Sequence, residues 1–179
     1  MLSLPHPALQ FVLAAIAFIA AITDLRTRTI PNWLTGGGMI AGAAVQIAVA
    51  GWAGAKAAAL GLGLAMLIYL PLYLLRGMGG GDVKLMAALG AAAGPQNWLA
   101  IFLITSLVGG IAAVIVILAS GSVGRTLRNL ATILGSLLRL RAPHEAEPEL
   151  DVAHPSSRGL PHGAVIAGGV ALFLLLARV

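Results

Sequence analysis

The hydrophobic pattern consists of long apolar stretches separated by short polar breaks. Six stretches approach the about 20 residues that a helix needs to cross a bilayer: residues 7–23, 33–51, 55–75, 77–94, 98–120 and 160–177. A weaker periodicity follows the fifth. Leu127, Leu130, Leu134, Leu137 and Leu138 recur at helical spacing, with Arg125, Arg128 and Arg139 supplying charge, which predicts a helix lying on the membrane surface. Beyond Pro143 the character changes to Glu145, Glu147, Glu149 and Asp151 among prolines, the pattern of a solvated loop. Residues 121–158 thus form one non-spanning segment. The predicted architecture is all-α: a polytopic membrane helix bundle of about six transmembrane helices with an interfacial amphipathic helix. Residues 1–179 are read as a single membrane-embedded domain. The first stretch reads as a retained helix, because no Lys or Arg precedes it and Arg26 and Arg28 follow it.

Composition narrows the class. Charged residues make up 9% of the chain and apolar ones 59%, with a mean hydropathy of +0.97. A soluble domain carries about 25% charged residues, so this chain cannot cover a water-facing surface and its solvent is the lipid bilayer. The 23 glycines fit helices packed at close range. The net charge of +5 is topological. With residues 24–32 inside, Arg26, Arg28, Arg76, Lys84, Arg125, Arg128, Arg139, Arg141 and Arg158 all fall on that side, leaving only Lys56 and Arg178 opposite. This distribution follows the positive-inside rule, and no nucleic-acid partner is expected. Trp33 would sit at the inner interface, and Trp52 and Trp98 at the outer one. With no cysteine, disulfides, thiol nucleophiles and cysteine-ligated metals are excluded, and the four histidines lack metal-site spacing. Neither a metal nor a cofactor is expected.

Four of the six acidic residues lie in the solvated loop; the other two are Asp24 and Asp82, at the inner ends of the first and fourth stretches. A charge at mid-bilayer costs about 2.5–3.5 kcal/mol on insertion scales, less near the edge. Two acids kept on one face of a chain that otherwise avoids them there call for a shared purpose. Asp82 follows Gly79, Gly80 and Gly81, a run that disfavours rigid helix and is read as backbone open to a substrate strand. Asp24 precedes a short basic turn closed by Pro31. Two carboxylates brought together share a proton. One then takes a proton from water while the other donates to a peptide carbonyl, which is the chemistry of an aspartyl endopeptidase. Helix-end position assigns the ionised role to Asp82 and the protonated role to Asp24. Lys84, Arg26 and Arg28 are candidates for electrostatic tuning. Two other classes stay open on these residues: a proton- or ion-coupled carrier, and a non-enzymatic membrane assembly subunit. A carrier should place ionisable groups near the midplane and show internal repeats, neither of which is present.

The run from Asp24 through Leu25, Arg26, Thr27, Arg28, Thr29, Ile30 and Pro31 to Asn32 resembles a motif of the type IV prepilin peptidases. So does the run from Gly79 through Gly80, Gly81, Asp82, Val83 and Lys84 to Leu85. The short, peptidase-only form associated with Flp/Tad pili is the most similar. Residues 160–169 resemble the family's final-helix pattern, with His162 where the family more often carries an aromatic residue. The resemblance implies removal of a short basic leader from prepilin-like precursors, next to a glycine that precedes an apolar helix. It places this activity at the cytoplasmic face of the bacterial inner membrane, with Asp24 and Asp82 as the catalytic pair. Longer relatives carry CxxC motifs in a cytosolic region and also methylate the new N-terminus; their absence here counts against methyl transfer. Presenilin-like proteases share GxGD but pair it with Tyr-Asp, whereas Thr23 precedes Asp24 here.

The acidic run 145–151 either attracts a basic leader or merely solvates its loop. If it attracts, replacing its four acids by amides should slow cleavage at low ionic strength, and added salt should erase the difference. Unchanged rates at all salt concentrations would assign it to solvation.

Overall fold

The computed structural model describes residues 4–138 and 161–177. These form five helices: α1 (Pro7–Thr27), α2 (Asn32–Leu74), α3 (Gly80–Ala119), α4 (Val123–Leu138) and α5 (His162–Leu176). Among the described residues there is no strand. Helices α1, α2 and α3 are long and apolar enough to cross a membrane, and α5 is a shorter apolar helix.

The expected six apolar helices are corrected to four among the described residues, because two glycine reversals each join two of the expected stretches within one helix. Within α2, Gly51 adopts φ 55° and ψ −131°. A Cβ placed on Gly54 would collide with the carbonyl of Gln46. Eight residues of straight helix would separate these positions by about 12 Å, so the chain doubles back. Within α3, Gly94 adopts φ 72° and ψ 170° and is followed by Pro95. Trp98 Nε1 donates to the Met86 carbonyl at 2.9 Å, across an interval that straight helix would stretch to roughly 18 Å. Only glycine takes such backbone angles without strain. α2 and α3 are thus helical hairpins, each folded at its glycine. Proline and reversal leave backbone carbonyls without helical partners, which is costly where no water reaches. Gln46 Nε2 meets one of them, the Ala92 carbonyl, at 3.1 Å.

Packing centres on the first arm of α3. Apart from Lys84, residues 83–94 are all buried, as expected of a stretch that is small and apolar on every side. α2 makes the most extensive contact with α3, while α5 packs against both α1 and α3. The closest approach joins α2 to α3 at Gly61 and Gly90, where a Cβ on either residue would strike the backbone of the other. Leu13, Leu85, Met86, Leu89, Ile166 and Phe173 fill the remaining interior. Trp98 corrects a second expectation. It is fully buried rather than interfacial, with its N–H satisfied by Met86, whereas Trp33 and Trp52 are exposed. In α4, Leu127, Leu130 and Leu134 project outward from the bundle, leaving an apolar face of the kind a bilayer surface covers. The acidic run 145–151 and Arg139, Arg141 and Arg158 lie outside the described residues.

The Gly61–Gly90 contact allows no relaxation, because the colliding atoms are backbone. Gly61→Val should lower stability by about 1–3 kcal/mol through overpacking. Gly63→Ala, which meets nothing within 4 Å, should be neutral or gain up to about 1 kcal/mol of helix propensity. Thermal unfolding of the two variants in detergent checks the contrast.

Candidate active site

At the end of the bundle away from the two reversals, the last turn of α1 meets the first turns of α3 and α5. Asp24 stands in the last turn of α1 and is buried. That helix closes just beyond it with Arg28 in the left-handed conformation, its N–H bonded to the Asp24 carbonyl. The Asp24 side chain reaches across to α5: Oδ2 accepts the Gly163 N–H at 2.8 Å and the Ala164 N–H at 3.4 Å. These are free donors of a helix N-terminus, where negative charge is favoured. Asp24 is therefore at the C-terminal end of one helix and the N-terminal end of another. Helix-end position no longer separates it from Asp82.

Gly163 makes the approach feasible. A Cβ there would lie 3.0 Å from Asp24 Cβ and 3.1 Å from Oδ2, tighter than ordinary van der Waals contact.

Asp82 stands in the first turn of α3, behind the N-cap Gly79. Its Oδ2 curls back to within 3.2 Å of where a Gly79 Cβ would sit. Asp24 and His162 both act electrostatically on Asp82. The two acids identified from sequence thus lie at the same end of the bundle, on separate helices, near enough to act on one another electrostatically. His162 opens α5 beside them and is exposed.

The reading of the glycine run is corrected in part. Gly80 and Gly81 are helical, and their faces lie against the Tyr73 ring and the Ile30 side chain, with Cβ positions 3.2 Å from each. Only Gly79, extended at φ −71° and ψ 142°, keeps non-helical backbone beside a carboxylate. Lys84 is exposed and donates to Asn32 Oδ1 at 2.9 Å, tying α3 to the start of α2. Arg26, in the last turn of α1, and Arg28, its C-cap residue, are both exposed. The tripeptide Pro7-Ala8-Leu9, a sequence that presenilin-like proteases carry as a motif, opens α1 roughly 25 Å along the helix from Asp24.

Two residues near the acids were not singled out as site residues from sequence. His162 had a signal, its place at an otherwise aromatic family position. Tyr69 had only a weak one, as one of two tyrosines in the chain. Tyr69 feels the Asp82 charge and is held by edge-on contacts to Trp98 and Phe102, with centroids 6.1 and 5.9 Å away. Trp98 and Phe102 stack on each other at 5.6 Å. Through these rings the α3 reversal is linked to the neighbourhood of Asp82. Among the described residues, no group of three or more His, Cys, Asp or Glu side chains is arranged to hold a metal ion.

If the Asp24–α5 contact fastens the bundle end, Gly163→Ala should lower the melting temperature in detergent. Gly168→Ala, whose nearest neighbour would be 3.9 Å away, should leave it unchanged.

No curated protein and no solved structure matches the chain significantly. A family model for the type IV leader peptidases matches residues 11–114, more than half of the chain, and its span includes both Asp24 and Asp82. The chain belongs to the type IV leader peptidase family.

Proposed function

We propose that this chain is an aspartic endopeptidase that removes the basic leader of prepilin-like precursors, using Asp24 and Asp82 as its catalytic pair. The observation that carries this reading is the convergence of the two acids at one end of the bundle, on elements inside the family match. Membership of a leader peptidase family supplies the reaction class. The Flp/Tad type of precursor rests on the resemblance carried by the two aspartate motifs. Location at the cytoplasmic face of the bacterial inner membrane rests on the distribution of Arg and Lys. Methyl transfer is not part of the reading.

The mechanism follows from the chemistry of a carboxyl pair that shares one proton. The ionised acid removes a proton from water as the water oxygen bonds to the scissile carbonyl carbon. The protonated acid gives its proton to the carbonyl oxygen, producing a neutral gem-diol. In the second step the acid that gained the water proton delivers it to the amide nitrogen, and the C–N bond breaks. A diol hydroxyl returns its proton to the other acid, restoring the pair. The amides of Gly163 and Ala164 hold Asp24 in place throughout. Gly79 offers extended backbone beside Asp82 for pairing with a substrate strand. Water enters at the bundle end, where His162 is exposed and Asp82 is partly so.

The test is co-expression with a pilin-like precursor and a gel-shift measurement of leader loss. Asp24→Asn and Asp82→Asn should each reduce cleavage by about 10²–10⁴-fold, with both variants still inserted in the membrane. Undiminished cleavage by either variant would overturn the dyad, and unprocessed precursor with the wild-type chain would overturn the activity.

A further inference from the structure

A groove of about 530 Å³ runs between α1 and α5 on the outside of the bundle. Ala17 and Val170 form its buried floor, and Phe18 and Leu175 stand as exposed walls. Ala14 and Ala171 line it as well, and no charged side chain does so. Lipid-facing helices usually present bulky side chains, as α2 does with Ile40, Leu60 and Leu67. Here alanines recur along both helices instead, leaving a channel rather than a ridge. Such small-residue surfaces let another helix come close enough to gain packing energy in lipid.

The groove is continuous with the candidate active site. Along α1 it spans Ala14 to Ala21, about 10 Å, and Asp24 follows one turn later. Along α5 it begins at Ala167, one turn after Gly163, whose N–H binds Asp24. We propose that this groove is the docking site for the apolar helix of the membrane-anchored precursor, which delivers the peptide bond at its end to Asp24. The inference rests on the peptidase reading above and adds where the substrate lies. In hydrocarbon an apolar peptide segment must be helical to satisfy its backbone, so the occupant is a helix. A helix cannot be cut until its end unwinds. The groove stops one turn short of the carboxylate, which leaves the emerging extended segment beside Asp24. A single row of side chains from the incoming helix fills the channel between Phe18 and Leu175, as ridges fill grooves at soluble helix crossings.

The absence of cysteine makes the test free of background. Single cysteines at Ala14, Ala171 and, as an outward-facing control on α3, Leu103 are paired with a precursor carrying one cysteine two turns into its apolar helix. The protein is in its membrane, and an Asp82→Asn background prevents turnover. Oxidation should join the precursor to the Ala14 and Ala171 positions and not to Leu103. In the otherwise wild-type chain, Ala171→Trp should raise KM for the anchored precursor at least tenfold with kcat nearly unchanged, while Leu103→Trp alters neither. Cross-links at all three positions or at none, dimers of the chain itself through Ala14 or Ala171, or an unchanged KM in Ala171→Trp would each overturn the groove assignment while leaving the peptidase reading intact. Failure of the wild-type chain to process the precursor would instead overturn the peptidase reading, and the docking assignment with it.

Discussion

The bond between the Asp24 carboxylate and the first amides of α5 is the contact on which this end of the molecule depends. It joins residue 24 to residues 163 and 164, so the last apolar helix is fastened to the first. Without it, Gly163 and Ala164 would leave two N–H donors unmet at a buried helix start, and a buried acid would stand alone; each omission is costly in a low-dielectric setting. The same contact fixes where His162 stands, because His162 begins the turn that Asp24 caps. In the proposed reaction this carboxylate would be both fastener and reactant, held in a defined position before substrate arrives, which lowers the reorganisation needed.

Asp82 is positioned by a different device. It stands at the base of an arm that is buried on nearly every side, and that arm is immobilised by backbone contact at Gly61–Gly90 and by the Trp98 bond to Met86. One acid is thus held by hydrogen bonding and the other by packing. Tyr69, Trp98 and Phe102 form an aromatic cluster that joins α2 to α3. The residues that surround the acids are therefore set by the same contacts that define the bundle.

Much of this was legible in the chain because membrane segments leave few ambiguities. Asp24 and Asp82 announce themselves as acids at the edges of apolar runs that otherwise have none. The pauses near Gly51 and Gly94 mark the reversals, although hydropathy cannot report how closely the two arms of each hairpin pack. Trp98 was assigned to the wrong place because an indole has two good settings, a wet interface or a dry core with its N–H satisfied. The Met86 carbonyl that decides the matter becomes its neighbour only after folding. Gly80 and Gly81 were read as open backbone from their low helix propensity; contacts with Tyr73 and Ile30 override that preference. The approach of His162 and Tyr69 to Asp82 is a tertiary outcome, hinted at in the chain only by the unusual residue at position 162 and the scarcity of tyrosine.

The reversal at Gly94 carries one further consequence, for how the protein enters its membrane. Between Lys84 and Arg125 the chain contains no ionised side chain, and the tip of this hairpin presents only a proline and two side-chain amides, the Trp98 indole being buried and bonded. A folded pair of arms can therefore pass its tip through hydrocarbon without dragging a charge across. The Asp82 end, bordered by Arg76 and Lys84, stays on the side where it began. Biosynthetic insertion of the hairpin as one piece would thus leave Asp82 facing Asp24 from the start, with no later turnover of the helix required.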